Sequence, residues 1–349
     1  MTVRSDEIKN YGAKEGQAYL AGSPRSVVLN GLSGYNEYLF TLDDSLERIT
    51  VQYENRYGIV LAGDLYRRKD LNESEKHPAL IIGPPHGAVK EQAPGVYANQ
   101  LAQQGFVVLA FDPSFNGESG GNRRRISSPE IFAEDFSAGV DFLGSLLYVD
   151  RERIGAIGIC GSGGFLLAQA TVDQRIKAIA TSAMYDISGL SYSGFDGEGT
   201  AEQRKEQLAA VADARWADVD GTSTQQLTPG FPADRIIPED LDPISAEFFE
   251  YYVTDRGHHP RSVGAFTVNS YFAHPYAGEL HHLEDVSPRP VLIITGDQAH
   301  SRHFSERAYE KLAEPKKLLV QPNARHIDLY DDVSKIPFEH VTQFFQTNL

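Results

Sequence analysis

Six short apolar runs recur along the chain, and helical spacing fills most of the intervals that follow them. The runs lie at 79–82, 106–111, 154–159, 176–180, 291–294 and 318–320. Unbroken runs of Val, Ile, Leu and Ala mark strands buried on both faces, as in a parallel sheet covered by helices. Helical patterns cover 97–104, 129–147, 163–170, 305–313 and 337–345. This alternation implies right-handed βαβ units in an α/β fold with a doubly wound, mostly parallel sheet. Ahead of the runs, Glu47 to Tyr53 alternates polar with apolar, and a second strand-like run at 59–66 follows Asn55-Arg56-Tyr57-Gly58. That is the pattern of an antiparallel hairpin leading into the parallel sheet.

One interval breaks the rhythm. About a hundred residues separate the run at 176–180 from the run at 291–294. A compact domain does not carry a structureless loop of that length. Helical patterns at 202–214, 243–254 and 262–272 point to an inserted helical cap over the carboxyl edge of the sheet. Its aromatics, among them Trp216, Phe248, Phe249, Tyr252 and Phe266, read as the cap's own core, with some lining an apolar pocket. The expected organisation is an N-terminal extension at 1–46, a core at 47–186 and 287–349, and a cap at 187–286. The extension is polar and rich in Gly, Ser and Tyr. It is expected to pack on the core or on a partner subunit, which leaves a homodimer open.

Charge excludes some functions. With 32 Lys and Arg against 48 Asp and Glu in 349 residues, the net charge is −16. Such a surface repels nucleic acid, and the basic run Arg123-Arg124-Arg125 reads as a solvated loop. No apolar run is long enough to span a bilayer, and the first ten residues carry no apolar signal core, so no membrane role and a cytoplasmic location are expected. The single cysteine, Cys160, is the one candidate for thiol chemistry.

Cys160 stands in the most informative segment, Ile157-Gly158-Ile159-Cys160-Gly161-Ser162-Gly163-Gly164-Phe165. A buried strand, a turn of small residues and a helix follow in order. A nucleophile is presented on such a strained turn, pointing at a helix N-terminus. The turn needs small residues two before, two after and three after the nucleophile. For Cys160 these are Gly158, Ser162 and Gly163; for Ser162 they are Cys160, Gly164 and Phe165, and the phenylalanine is awkward. Cys160 is therefore favoured, with Ser162 as the alternative. No Gly-x-Gly-x-x-Gly or Gly-Lys-Ser/Thr loop is spelled here, so a nucleotide site is not expected.

Gly158-Ile159-Cys160-Gly161-Ser162-Gly163-Gly164 resembles the cysteine elbow of dienelactone hydrolase and related α/β-hydrolases. Further segments are similar to a branch of uncharacterised bacterial hydrolases and fungal polyketide transferases and thiohydrolases. These are Gly87-Ala88-Val89-Lys90-Glu91-Gln92, Met184-Tyr185-Asp186 and His326-Ile327-Asp328-Leu329-Tyr330-Asp331. The resemblance runs from about Glu47 to the C-terminus. It implies an α/β-hydrolase fold with a nucleophile, an acid and a histidine in that order. The histidine is expected after the last strand, at His326, as general base and acid. The acid is expected at Asp297, after the run at 291–294, or at Asp186, after the run at 176–180. Relatives often place it three residues after the glycine, where this chain has Ala299. Oxyanion donors are expected from the N–H groups of Gly161 and Ala88, with Gly87 as neighbour.

His300, His303 and Glu306 have a ligand-like spacing, but no His-Glu-x-x-His motif exists and the fold needs no metal; neither metal nor cofactor is expected. The expected activity is attack of Cys160 on an ester, lactone or thioester carbonyl, or on an activated C–C bond. An acyl-enzyme then passes to water or an alcohol. The expected substrate is a small apolar or aromatic acyl compound. The alternatives are a serine esterase using Ser162 and a non-catalytic small-molecule binding protein on the same fold.

Overall fold

A computed structural model describes residues 18–19, 27–28, 38–195, 197–221 and 226–349. Ten strands form one sheet: β1 (Ala18–Tyr19), β2 (Val27–Val28), β3 (Leu46–Glu54), β4 (Val60–Arg68), β5 (His77–Gly83), β6 (Val107–Phe111), β7 (Val149–Ile159), β8 (Ala178–Ser182), β9 (Val291–Gly296) and β10 (Lys316–Gln321). Their spatial order is β1-β2-β3-β4-β6-β5-β7-β8-β9-β10. Strands β5 to β10 are mutually parallel, and β1 to β4 join the β6 edge antiparallel. Every residue of β6, β8 and β9 is buried, which is the reason these strands read as continuous apolar runs.

The expected hairpin is β3 and β4. Asn55 makes its turn, with Oδ1 accepting from Tyr57 N–H and Ile59 N–H, both at 3.0 Å. Gly58 supplies the left-handed residue at φ +73°. Most of the 1–46 extension lies outside the described residues. Of the rest, β2 pairs with β3, Tyr38 donates to Asp64 at 2.7 Å, and Phe40 packs over Gly95.

Helices cover both faces of the sheet: α1 (Ala93–Gln103), α2 (Pro129–Ser145), α3 (Gly161–Val172), α4 (Ile187–Ser193), α5 (Ala201–Val219), α6 (Pro243–Tyr252), α7 (Arg302–Lys311), α8 (Asp328–Asp331) and α9 (Phe338–Asn348). Gly155 in β7 lets the Phe345 ring of α9 close on the sheet, since a Cβ there meets that ring at 2.7 Å. The chain leaves β5 for β6 on one side and returns to β7 on the other. The direction of winding therefore reverses between β5 and β7, and a crevice opens at their carboxyl ends.

The interval expected to be a helical cap is only partly helical. The patterns at 202–214 and 243–254 become α5 and α6, and α4 is an added short helix. The pattern at 262–272 does not form an α-helix. Gly264 sits at φ +62° and only Val268–Phe272 winds, as a 3-10 turn. The backbone of this stretch instead bonds to its neighbours: Thr267 N–H donates to Arg125 O, and Val268 N–H to Gln226 O. Those contacts override the periodicity of the segment.

Candidate active site

The turn between β7 and α3 is strained at one residue. Cys160 has φ 55° and ψ −122°, left-handed backbone that a side chain tolerates poorly. The neighbours hold it there. Its N–H donates to Ser182 O, and its carbonyl accepts from Gly163 N–H and Tyr185 N–H, all at 2.9 Å. The small residues are required: a Cβ on Gly158 meets Ser162 O at 2.3 Å, and one on Gly163 meets Met184 Cβ at 2.5 Å. Cys160 thereby lines a cavity of about 450 Å³. Ser162 does not. Its hydroxyl points beneath the turn and donates to Pro84 O at 2.5 Å, and the whole residue is buried. Of the two candidate nucleophiles, Cys160 therefore faces the cavity and Ser162 is turned away from it.

His326 follows β10, in a loop brought against the end of β9 by Gly296. A Cβ on Gly296 would lie 1.9 Å from Ala324 O. The imidazole is completely buried. Its Nε2 is 2.9 Å from the Tyr330 hydroxyl, and its Nδ1 is 2.7 Å from Ser301 Oγ. Tyr330 and Cys160 line the same cavity, and the Tyr330 hydroxyl acts on the thiol. One phenol therefore stands at both the thiol and the imidazole. The sequence reading missed Tyr330, yet a signal existed: it follows His326 by four residues in a helical turn, and that spacing puts both on one face.

Burial pushes the Cys160 thiol up to about 11, against hydrogen bonds from Tyr330 and from the backbone N–H groups of Gly161 and His86. Burial, then the neighbouring His300, holds His326 well below its ordinary value. The resting pair is therefore a neutral thiol and a neutral imidazole. Iodoacetamide should accordingly alkylate Cys160 slowly at pH 7, with a rate that climbs about tenfold per pH unit between pH 8 and 10. A rate already at its plateau by pH 7 would contradict this picture.

The backbone N–H groups of Gly161 and His86 both favour the ionised sulfur, which makes them the candidates for oxyanion donors. Ala88, expected to donate, does not reach the site: its N–H closes a turn onto Pro85 O at 2.9 Å. Gly87 shapes that turn at φ +89° and leaves room for Gly264, whose Cα would be 3.2 Å from an added Cβ. The following Lys90 is buried and anchors the loop. It ion-pairs with Glu91 and, at 2.7 Å, with Glu118, while its N–H donates to Asp112 at 2.8 Å. Burial pushes the Asp112 carboxyl up to about 7, with Lys90 opposing.

No protein-family model matches the chain. Among proteins of known sequence, it is 45% identical to the uncharacterized protein PA2218 of Pseudomonas aeruginosa over 317 residues, 89% of this chain and 83% of that one. The crystal structure of that protein superposes with a TM-score of 0.87 at 44% identity, over 91% of this chain and 98% of its own. The chain is 32% identical to the uncharacterized protein YcjY of Escherichia coli over 288 residues, 81% of this chain and 92% of that one. It is 25% identical to polyketide transferase grgF of Penicillium sp over 296 residues, 84% of this chain and 94% of that one. The crystal structure of that transferase, described as an α/β hydrolase, matches with a TM-score of 0.71 at 22% identity, over 86% of this chain and 99% of its own. The chain belongs to the same family as PA2218 and YcjY, and it has the α/β-hydrolase fold.

In this α/β-hydrolase neither expected acid meets the histidine. Asp297 is exposed beyond β9. Asp186 caps α4, accepting from Gly189 N–H at 2.7 Å, and lines a separate cleft with Arg307 and Lys311. Ala299 is buried and contributes no carboxylate. Ser301, one residue before α7, takes the place at Nδ1 instead. No motif marked it, because only the fold of the β9–α7 loop brings it there. Replacing Asp297 or Asp186 by alanine should change kcat/KM less than about threefold, since surface and capping positions away from the chemistry rarely matter more. A loss of a hundredfold in either would restore that aspartate to the site.

The metal-like spacing has its own explanation. His300 bonds to Glu247 at 3.0 Å, His303 to the His300 carbonyl at 3.2 Å, and Glu306 to Arg302 at 2.8 Å. Among the described residues no cluster of His, Cys, Asp and Glu has the arrangement of a metal site. Nor is any helix among them long and apolar enough to cross a membrane. The cavity over Cys160 is walled by the aromatic rings of Tyr185, Phe195, Phe231, Phe248, Tyr252 and Phe266. The residues come from the end of β8 and from the interval between β8 and β9.

Proposed function

We propose that this α/β-hydrolase attacks an ester or thioester carbonyl with Cys160 and passes the acyl group to water or an alcohol. The observation that carries this reading is Cys160, on its strained turn, in one apolar cavity with Tyr330, whose hydroxyl is 2.9 Å from His326 Nε2. In the productive tautomer the His326 Nδ1–H donates to Ser301, leaving Nε2 to accept from Tyr330. As Sγ bonds to the carbonyl carbon, its proton moves to the Tyr330 oxygen, and the Tyr330 proton moves to Nε2. The carbonyl π pair becomes an oxyanion facing Gly161 and His86 N–H. Collapse breaks the bond to the leaving alcohol or thiol, which takes the proton back along the same path. Water or an acceptor alcohol then repeats the sequence on the thioester of Cys160.

The apolar wall favours an acyl group with an aromatic or extended hydrocarbon body, and a cavity of about 450 Å³ holds a group of small-ligand size. The likeness to a polyketide transferase and a thiohydrolase supports a thioester donor. The test is turnover of p-nitrophenyl esters and of acyl-N-acetylcysteamine thioesters by wild type, Cys160→Ala and Ser162→Ala. Loss confined to Cys160→Ala upholds the reading. Loss confined to Ser162→Ala, or a wild type silent on every acyl substrate, overturns it.

A further inference from the structure

The expected triad carboxylate is absent from His326, yet a buried carboxylate of α6 binds two immediate neighbours of that histidine. Glu247, in α6, is 9% exposed. Its Oε1 accepts from the N–H of Ile327, the residue after His326, at 2.9 Å. Its Oε2 is 3.0 Å from His300 Nδ1. The His300 ring in turn stacks on His326, with centroids 4.6 Å apart and planes inclined by 30°. Phe248, beside Glu247, packs its ring 5.4 Å from both imidazoles and shields them. His300 Nε2 is buried without a partner, so the hydrogen bond to Glu247 is what orients this ring.

We propose that Glu247 is the positioning carboxylate of this active site, delivered by the cap rather than by the loop after β9, and acting on His326 through His300 and the Ile327 amide. The inference rests on the functional reading above. During acylation the fully buried His326 gains a proton, and an uncompensated buried cation is costly. Glu247, bonded to the adjacent amide and to His300, opposes that cost and offsets the unfavourable influence of the His300 ring on a charged His326. An aspartate bonded directly to Nδ1 serves the same electrostatic end in other triads. Ser301 holds the tautomer and Glu247 supplies the charge, so two residues divide what one acid does elsewhere. The catalytic histidine is then fully supported only when α6 is docked on the core.

The test compares Glu247→Gln, His300→Phe and the double variant with wild type. Glutamine retains an acceptor for Ile327 N–H and removes the charge. Phenylalanine retains a stacked ring and removes the bond to Glu247. Each single change should lower kcat about 10- to 50-fold while KM stays within about twofold, as expected for loss of one nearby charge in a partly desolvated site. The double variant should be little worse than either, because both act along one path. The rate of Cys160 alkylation by iodoacetamide, which needs no substrate, should fall in parallel. Single variants within twofold of wild type in alkylation and turnover would overturn the proposal. So would a loss expressed mainly as raised KM and lowered Tm, which is the mark of a structural strut. If wild type turns over no acyl substrate, the functional reading fails, and the alkylation rates still decide the role of Glu247.

Discussion

Cys160→Ala should lower kcat/KM by at least about 10⁴-fold, because loss of the nucleophile removes the acyl-enzyme path and leaves only binding and the oxyanion donors. Folding should survive. The strained φ of 55° is imposed by bonds from Ser182, Gly163 and Tyr185 to the backbone of the residue, and alanine keeps all of these. The thiol is the one atom removed. Ser162→Ala is the matched control, since its hydroxyl is turned away to Pro84. That change should cost about 1–2 kcal/mol of stability for the lost buried hydrogen bond and leave kcat within about threefold. Circular dichroism melts with initial rates on a thioester separate the two. If Cys160→Ala retains more than a hundredth of the wild-type rate, the thiol is not the nucleophile.

Tyr330→Phe should lower kcat about 10²-fold with KM nearly unchanged, as expected for the loss of one proton-transfer group. The aromatic ring is retained, so its packing against Tyr251, at 5.3 Å between centroids, persists. Only the hydroxyl between Nε2 and the sulfur disappears. Without it the proton must cross by a trapped water or by movement of the thiol. The thiol also loses its proton path to the imidazole, so alkylation of Cys160 should slow as well. A Tyr330→Phe enzyme with wild-type kcat would mean that His326 meets the thiol directly during turnover, and the relay would be withdrawn.

Much of the fold was legible because it is written in local terms. The buried strands show as apolar runs since both faces of β6, β8 and β9 are covered. The turn at Asn55 and Gly58 and the small residues around Cys160 are local demands of backbone geometry. Where the sequence misled, the controlling contact was distant. The pattern at 262–272 has helical spacing, but the carbonyls of Arg125 and Gln226 claim its N–H groups. In the loop after β5, the N–H of Ala88 is taken up within the loop itself. Whether Ala88 or His86 offers its N–H depends on one turn closing onto Pro85.

The sequence by itself determined the α/β alternation, the elbow with its cysteine, and the position of His326 after the last strand. Each follows from periodicity, from side-chain size in a tight turn, or from chain order. Tertiary structure alone decided the company His326 keeps. Ser301, His300, Glu247 and Tyr330 reach the imidazole from three segments of the chain, and Ser162 is turned under the elbow. These are choices of side-chain direction and of contacts across as many as 80 residues, such as Ile327 N–H to Glu247. Neither composition nor spacing encodes them, because a carboxylate can serve a histidine from any element that packs beside it.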